Sequence, residues 1–177
     1  MKKTIILILS LSLQIFAQNI ADTEPKTVES VNLQKYIGVW YEFAKIPNRF
    51  QSDCVKNTSA TYSLQEDGNI KVVNRCVEED GEVSEAEGVA RIVDKVNNTK
   101  LEVSFVSFLG WRPFWGDYWI IGLDENYKWV IVGHPERKYG WILSRTKSIS
   151  NETKEQIFSI LVEQGYNPKD FEISIQE

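Results

Sequence analysis

The sequence predicts an all-β protein: an eight-stranded antiparallel up-and-down β-barrel with one C-terminal α-helix packed outside and a short terminal strand. Eight strand-like segments follow one another through hairpin-like connections, and the one clear helical pattern comes late in the chain. The strand opening Gly38-Val39-Trp40 and the strand end at Arg145 supply the third observation, because glycine allows close approach and a guanidinium can stack on an indole. A β-sandwich is the structural alternative.

The first seventeen residues, 1–17, are predicted to be a signal peptide. A basic start at Lys2 and Lys3 precedes an apolar stretch from Thr4 to Phe16, which is too short for a comfortable membrane-spanning helix. An uncleaved anchor is the alternative. We therefore expect an exported protein that is either periplasmic or secreted. Association with an outer membrane without a lipid anchor is a further option.

One domain, the predicted barrel, is expected from residue 32 to residue 177. Residues 18–31 are polar and lack periodicity, so they are predicted to be a flexible N-terminal segment, disordered or draped on the surface. A short helical turn is predicted over 32–36. The eight strands are then predicted at 40–46, 58–65, 70–77, 83–93, 101–108, 118–123, 129–132 and 140–143.

Apolar alternation and turn chemistry support these strands. Ala60, Tyr62 and Leu64 alternate with small polar residues, and a turn of the type Glu-Asp-Gly-Asn follows them. The helix is predicted over Glu152–Glu163, capped by Ser150 or Asn151 and ended by a glycine. A short strand is predicted to close the chain over 171–175.

The composition excludes several classes of function. The chain has a net charge of −5 and no basic cluster, which disfavours nucleic acid and anionic membrane surfaces. His134 is the single histidine, so no metal-ligand set or cofactor motif is apparent, and no catalytic residue is predicted. High aromatic content, 12% with six Trp, suits the wall of an apolar pocket as well as simple packing.

Two cysteines, Cys54 and Cys76, occur in this chain. Export to an oxidising compartment would favour one disulfide between them, and two free thiols are the alternative. A free Cys76 would be the first candidate nucleophile of an enzyme.

Three motifs in order resemble those of the lipocalin family. They are Tyr36–Glu42, Trp119–Asp124 and Trp141–Thr146, and the resemblance covers most of residues 33–176. The segments Ala60–Leu64 and Ile70–Asn74 are similar to the branch that contains bacterial lipocalins and apolipoprotein D. The chain lacks the lipid-acceptor Cys of many bacterial members of that branch.

This resemblance implies a cup that binds and transports or stores small hydrophobic ligands, such as fatty acids or lysophospholipids, in envelope lipid maintenance. Gly38, Trp40 and Arg145 would form the structural floor of the cup. The family's cup-facing positions match Tyr62, Asn74, Phe105, Tyr118 and Trp141. A lipid-modifying enzyme on the same fold and a dimeric interaction module are the alternatives.

Three placements stay open in the sequence. Asn74 either orients a ligand headgroup or is a satisfied buried amide, and Glu42 points either inward with Trp40 or outward through a bulge. The aromatic loop Phe108–Asp117 rims the cup, contacts a membrane, docks a second copy, or folds back on the barrel.

Overall fold

A closed β-barrel forms the body of the computed structural model, which describes residues 23–177. Its strands are β1 Gly38–Lys45, β2 Cys54–Leu64, β3 Ile70–Glu78, β4 Val83–Ile92, β5 Lys100–Ser104, β6 Gly116–Leu123, β7 Trp129–Gly133 and β8 Gly140–Ser144. Each strand pairs antiparallel with the next, and β1 pairs with both β8 and β2, which closes the sheet. The predicted barrel is therefore confirmed. The predicted signal peptide 1–17 and residues 18–22 lie outside the described residues.

Two strand boundaries differ from the sequence prediction by four residues, and the other boundaries by at most two. β2 begins at Cys54, four residues early, because irregular pairing with β3 accommodates the polar stretch before Thr58. β5 ends at Ser104 rather than Phe108. The Arg112 guanidinium donates to the Ser104 carbonyl at 3.0 Å, so a loop side chain satisfies the backbone group that a longer strand would have paired.

The barrel wall has an apolar inner face and a second apolar face outside. Tyr118 and Ile120 of β6 belong to a buried cluster inside the barrel, which we call the inner cluster and which also contains Trp40, Ala60, Val72, Leu101 and Leu143. Trp119 and Ile121 belong to a second cluster outside the wall, the outer cluster, which also contains Ile157 and Leu161. This alternation follows from the two-residue period of a strand. Both faces of β6 are therefore buried, which explains its nearly continuous apolar sequence.

The late helix covers the outer cluster as predicted. We name the four-residue helix Leu33–Tyr36 α1 and the late helix Asn151–Glu163 α2. Ser150 caps α2 by accepting a hydrogen bond from the Thr153 backbone N–H at 3.1 Å. Ile157 and Leu161 are fully buried against the barrel. Within residues 23–177, neither helix has the length and apolar character needed to cross a bilayer.

The C-terminal segment 172–177 fills a gap in the wall, and we call it the C-terminal strap. β1 and β2 pair only over residues 38–41 of β1 and then diverge. A two-residue strand, β9 Glu172–Ile173, pairs with the free end of β1, and the Gln176 side chain donates to the Glu42 and Thr58 carbonyls at 2.9 and 2.7 Å. The predicted terminal strand is thus present in shortened form.

The opposite end of the barrel is covered by α1 and the residues before it. The Val28 N–H donates to the Ile120 carbonyl at 2.9 Å, and the Val31 N–H donates to the Asn97 carbonyl at 2.8 Å. These contacts place residues 28–31 across the barrel end. Flexibility of the 18–31 segment stays a prediction.

Cys54 and Cys76 form a disulfide between β2 and β3. It lies at the end of the barrel remote from α1, because Cys54 opens β2 and Cys76 lies near the end of β3. The disulfide confirms the pairing expected for an exported chain.

Candidate functional site

The floor of the barrel is built around Trp40 and Arg145. The Arg145 guanidinium lies over the fully buried Trp40 indole, 3.8 Å from the ring centroid, and the indole N–H donates to the Tyr36 carbonyl at 2.8 Å. Gly38 has a φ of +102°, and a Cβ there would lie 3.3 Å from an Arg145 nitrogen. Glycine therefore supplies both the backbone conformation and the room for this contact.

Arg145 also holds the end of α1. Its two terminal nitrogens donate to the carbonyls of four residues at 2.7–3.0 Å: Lys35, Tyr36, Ile37 and Val39. The last carbonyls of a helix lack partners within the helix, so this fork satisfies them. Burial lowers the pKa of Arg145 below its usual value, yet the guanidinium keeps its charge. One side chain thus joins β8, β1 and α1 into a closed floor.

Three tyrosine hydroxyls meet directly above this floor, and we call them the tyrosine cluster. The Tyr118 hydroxyl shares a hydrogen bond with the Tyr36 hydroxyl at 2.6 Å and another with the Tyr62 hydroxyl at 2.9 Å. The Tyr36 ring in turn contacts Trp40, with centroids 5.3 Å apart. The cluster is a polar spot surrounded by apolar side chains of the inner wall.

Burial controls the ionisation of the cluster. Desolvation raises the pKa of Tyr62 to about 12 and raises the pKa values of Tyr36 and Tyr118 well above their usual value. All three phenols are therefore protonated at neutral pH and can act as hydrogen-bond donors.

The barrel opens above the cluster. Asn74 is half-buried and pairs across the wall with Ala60, which belongs to the inner cluster, and with Ala86, which is exposed to the open end. The Phe105 ring lies inside the wall over Gly88, where a Cβ would come within 2.6 Å of it. Phe105 is nevertheless 40% exposed, so the cup is open to solvent at this level.

Trp141 belongs to a polar network at the same level. Its indole N–H donates to the Gln51 side-chain oxygen at 2.9 Å, and the Gln51 amide donates to Glu42 at 2.8 Å. Glu42 also accepts from the Ser174 hydroxyl at 2.6 Å and lies 3.4 Å from the Lys45 ammonium. Every part of this buried carboxylate therefore has a partner.

The register resolves the direction of Glu42. Glu42 lies opposite Leu143 of the inner cluster, and the bulge falls after it, between Glu42 and Ala44. Glu42 therefore points inward, like Trp40. Its partners Gln51 and Ser174 are residues that sequence reasoning missed, since they come from the β1–β2 loop and the strap, more than a hundred residues apart.

The five residues predicted to contact ligand lie on the inside of the barrel at two depths. Tyr62 and Tyr118 bond to each other just above the floor, and Asn74, Phe105 and Trp141 lie nearer the opening. Two open surface clefts of about 310 and 260 Å³ lie beside the β1–β2 loop, and none of the five residues lines either one. Contact of these five residues with ligand therefore stays a prediction.

The aromatic loop Phe108–Asp117 divides into an exposed tip and a packed base. Four apolar side chains are exposed by 67–91% of their area: Phe108, Leu109, Trp111 and Phe114. Trp115 instead packs under the Arg91 guanidinium, 4.1 Å from the ring centroid, and donates to the Arg112 carbonyl. Only the base folds back on the barrel.

The tip of this loop has an unusual conformation. Phe108 and Trp111 exchange backbone hydrogen bonds of 2.9 Å in both directions, and the two residues between them, Leu109 and Gly110, both have positive φ, +49° and +79°. Such a turn favours Asn-Gly or Gly-Gly, because leucine is strained at positive φ. Leu109, the most exposed large apolar side chain among residues 23–177, is therefore held in a strained position at the open end.

Comparison with known proteins is consistent with this geometry. A family model described as a lipocalin-like domain matches residues 31–176. The chain is 40% identical to the outer membrane lipoprotein Blc of Citrobacter freundii over 148 residues, 81% of this chain and 80% of that protein. It is 36% identical to apolipoprotein D of Macaca fascicularis over 162 residues, 88% and 82% of the two chains.

Solved structures agree on the fold. Insecticyanin from the tobacco hornworm Manduca sexta superposes with a TM-score of 0.69 at 24% identity, covering 86% of this chain and 84% of that one. The expected similarity to the bacterial lipocalin and apolipoprotein D branch is confirmed.

Replacing Arg145 with Lys should destabilise the floor. Lysine keeps the charge but cannot reach four carbonyls with a planar fork, so we expect the free energy of unfolding to fall by about 2 kcal/mol or more. Urea unfolding followed by tryptophan fluorescence measures this. Arg91→Lys is the matched control, because Arg91 also stacks on an indole but is half-exposed, and should cost less than about 1 kcal/mol. Equal costs would contradict the assignment.

The raised pKa of Tyr62 predicts a loss of stability at alkaline pH. Its phenol ionises near pH 10 in the unfolded chain but only near pH 12 in the fold, so the unfolded state loses its proton first. The stabilisation is complete below pH 10 and is lost as the pH rises through 12, on the order of 2 kcal/mol from this group. Urea unfolding across this range should show a smaller fall for Tyr62→Phe than for wild type; identical falls would refute the prediction.

Proposed function

Because the chain belongs to the lipocalin family, we propose that it binds a small hydrophobic ligand, such as a fatty acid or a lysophospholipid, inside the barrel and carries or stores it. The observation that supports this most directly is the gradient of exposure along the inner wall. Trp40 and Ile120 at the closed end have no exposed surface, whereas Phe105 at the open end is 40% exposed. An apolar container closed at one end and open at the other can take up an acyl chain.

Small side chains on one part of the wall leave room for such a ligand. Ala60, Ala86 and Gly88 lie on the inner face of β2 and β4, where Ala60 and Ala86 flank Asn74 and Gly88 pairs with Val72. The Phe105 ring rests on Gly88 and is half free at the rim, so it can move aside as a chain enters. The Glu42 network, with Lys45, offers polar contacts at the opening for a headgroup.

A lipid-modifying enzyme is less well supported. That alternative needed a free thiol at Cys76, which is joined to Cys54 in the disulfide. His134 is in a turn, where its ring nitrogen Nδ1 accepts from the Glu136 N–H at 3.1 Å, a local turn contact. We therefore favour binding over catalysis. Export followed by a role in envelope lipid maintenance fits a relative named as an outer membrane lipoprotein.

The exposed loop tip supports a second part of the proposal, which is that the open end contacts a lipid surface from which the ligand is taken. Leu109, Phe108 and Trp111 project from a turn beside the opening, and Phe50 of the β1–β2 loop is exposed there too. Leucine at positive φ costs free energy, and binding through the exposed side chain would offset that cost. A homodimer through the same loop is the alternative outcome of its test.

Filling the upper cup should block ligand binding. Ala86→Phe places a ring opposite Asn74 on the inner face of β4, so we expect at least a tenfold loss of affinity for palmitate or lysophosphatidylcholine. Quenching of tryptophan fluorescence by titrated lipid measures this. Glu87→Phe adds the same ring on the outer face and should bind as wild type does. A wild-type protein that binds none of a broad lipid panel would overturn the proposed function.

Polar substitutions at the loop tip should reduce membrane binding. We expect Leu109→Ser with Trp111→Ser to abolish flotation with phosphatidylcholine vesicles while ligand affinity in detergent-free solution is unchanged, because the tip lies outside the cup. Val96→Ser is the matched control, since Val96 is 87% exposed at the closed end. Sedimentation of the same variants detects a dimer; a dimer that the tip substitutions dissociate would replace the membrane interpretation.

A further inference from the structure

We propose that the tyrosine cluster is a hydrogen-bond-donating site for the inner end of the ligand, and that it selects lipids carrying an uncharged oxygen acceptor, a carbonyl, ester or hydroxyl, at that end. This inference rests on the proposed binding of a hydrophobic ligand in the cup. It adds which chemical group enters first and what receives it.

The three hydroxyls carry more protons than their mutual hydrogen bonds use. The hydroxyls of Tyr36, Tyr62 and Tyr118 carry one proton each, and two hydrogen bonds join them. Whichever hydroxyls donate in those two bonds, one O–H remains. Among the hydrogen bonds of residues 23–177, these three hydroxyls bond only to one another. The cluster therefore always has one donor to offer.

An unused donor in this position is costly. Leaving a buried hydroxyl without an acceptor is unfavourable, because the group has lost its hydrogen bonds to water. The surrounding wall is apolar: Trp40, Val72, Leu101 and Leu143 belong to the same inner cluster. A ligand that brings an oxygen to this point recovers the cost, whereas a hydrocarbon end does not.

All three tyrosines are buried, and Tyr62 and Tyr118 form the side of the cluster that faces the cup. Tyr36 is 1% exposed and is packed against Trp40 in the floor, whereas Tyr62 and Tyr118 retain 6% and 8% of their surface. The hydrogen bonds can reverse direction along the chain of hydroxyls, so the spare proton can reside on Tyr62 or on Tyr118. Both belong to the inner cluster, and Tyr118 pairs with Leu101, four residues before Phe105 in the chain.

Charge decides between an ionised and a neutral acceptor. Desolvation is the largest cause of the raised pKa values of all three phenols, and the same desolvation opposes a carboxylate at this depth. The nearby cation, Arg145, is already engaged by four carbonyls, and the negative charge of Glu42 acts on Tyr62. A neutral oxygen is therefore preferred, and an ionised headgroup remains at the opening.

The test compares 2-tetradecanone with tetradecane as competitors of a fluorescent fatty-acid probe. A purely apolar cup would bind the alkane at least as tightly, because the alkane is the less soluble in water. We expect the ketone to bind wild-type protein about tenfold or more tightly than the alkane. Equal affinities, or a preference for the alkane, would overturn the inference while leaving lipid binding intact. If neither compound displaces a probe that the protein binds, the inference is likewise overturned and lipid binding still stands.

Variants and spectroscopy locate the effect. Tyr62→Phe combined with Tyr118→Phe removes both cup-facing hydroxyls and should abolish the preference for the ketone, whereas Tyr41→Phe, on the outer face of β1, should retain it. The carbonyl stretch of bound 2-tetradecanone should lie at lower wavenumber in wild type than in the double variant. If the carbonyl stretch of the ketone bound to wild type is not lower than that of the free ketone in an apolar solvent, the site is contradicted even if the double variant fails to fold. A wild-type protein that binds no lipid at all overturns both the function and this site.

Discussion

The contact between Arg145 and Trp40 is the constraint on which the rest of the structure depends. The guanidinium covers the indole and donates hydrogen bonds to four carbonyls between Lys35 and Val39. Because α1 is only four residues long, this contact rather than helix propensity holds Tyr36 in place. Tyr36 then positions the Tyr118 and Tyr62 hydroxyls above it. The floor therefore determines the depth of the cup and the chemistry at its base.

The open end is held together by polar contacts. There the wall is incomplete, because β1 and β2 diverge and the C-terminal strap fills the gap with polar contacts through Ser174 and Gln176. The same region holds the disulfide, the Glu42 network and the exposed loop tip. Polar and strained groups are thus concentrated where ligand and lipid surface would meet the protein, and the tightly packed residues are concentrated at the floor.

Much of the fold could be predicted from local pattern. Alternation in β2, the Ser150 cap and the glycine after α2 each report a short stretch of backbone, so the strands and the helix were located to within a few residues. The end of β5 could not be predicted, because it depends on the Arg112 side chain returning from a loop. The inward direction of Glu42 could not be predicted either, since it depends on which side of the residue the bulge falls.

The sequence by itself determined the barrel, the pairing of Gly38 and Trp40 with Arg145 as a floor, and the family, because periodicity and short motifs are local properties. Only the tertiary structure brought Tyr36 to Tyr118, Gln51 to Trp141 and the strap to Glu42. Those contacts join residues 82 to 132 positions apart. Closure of the barrel creates them, and no pattern along the chain encodes which hydroxyl will meet which.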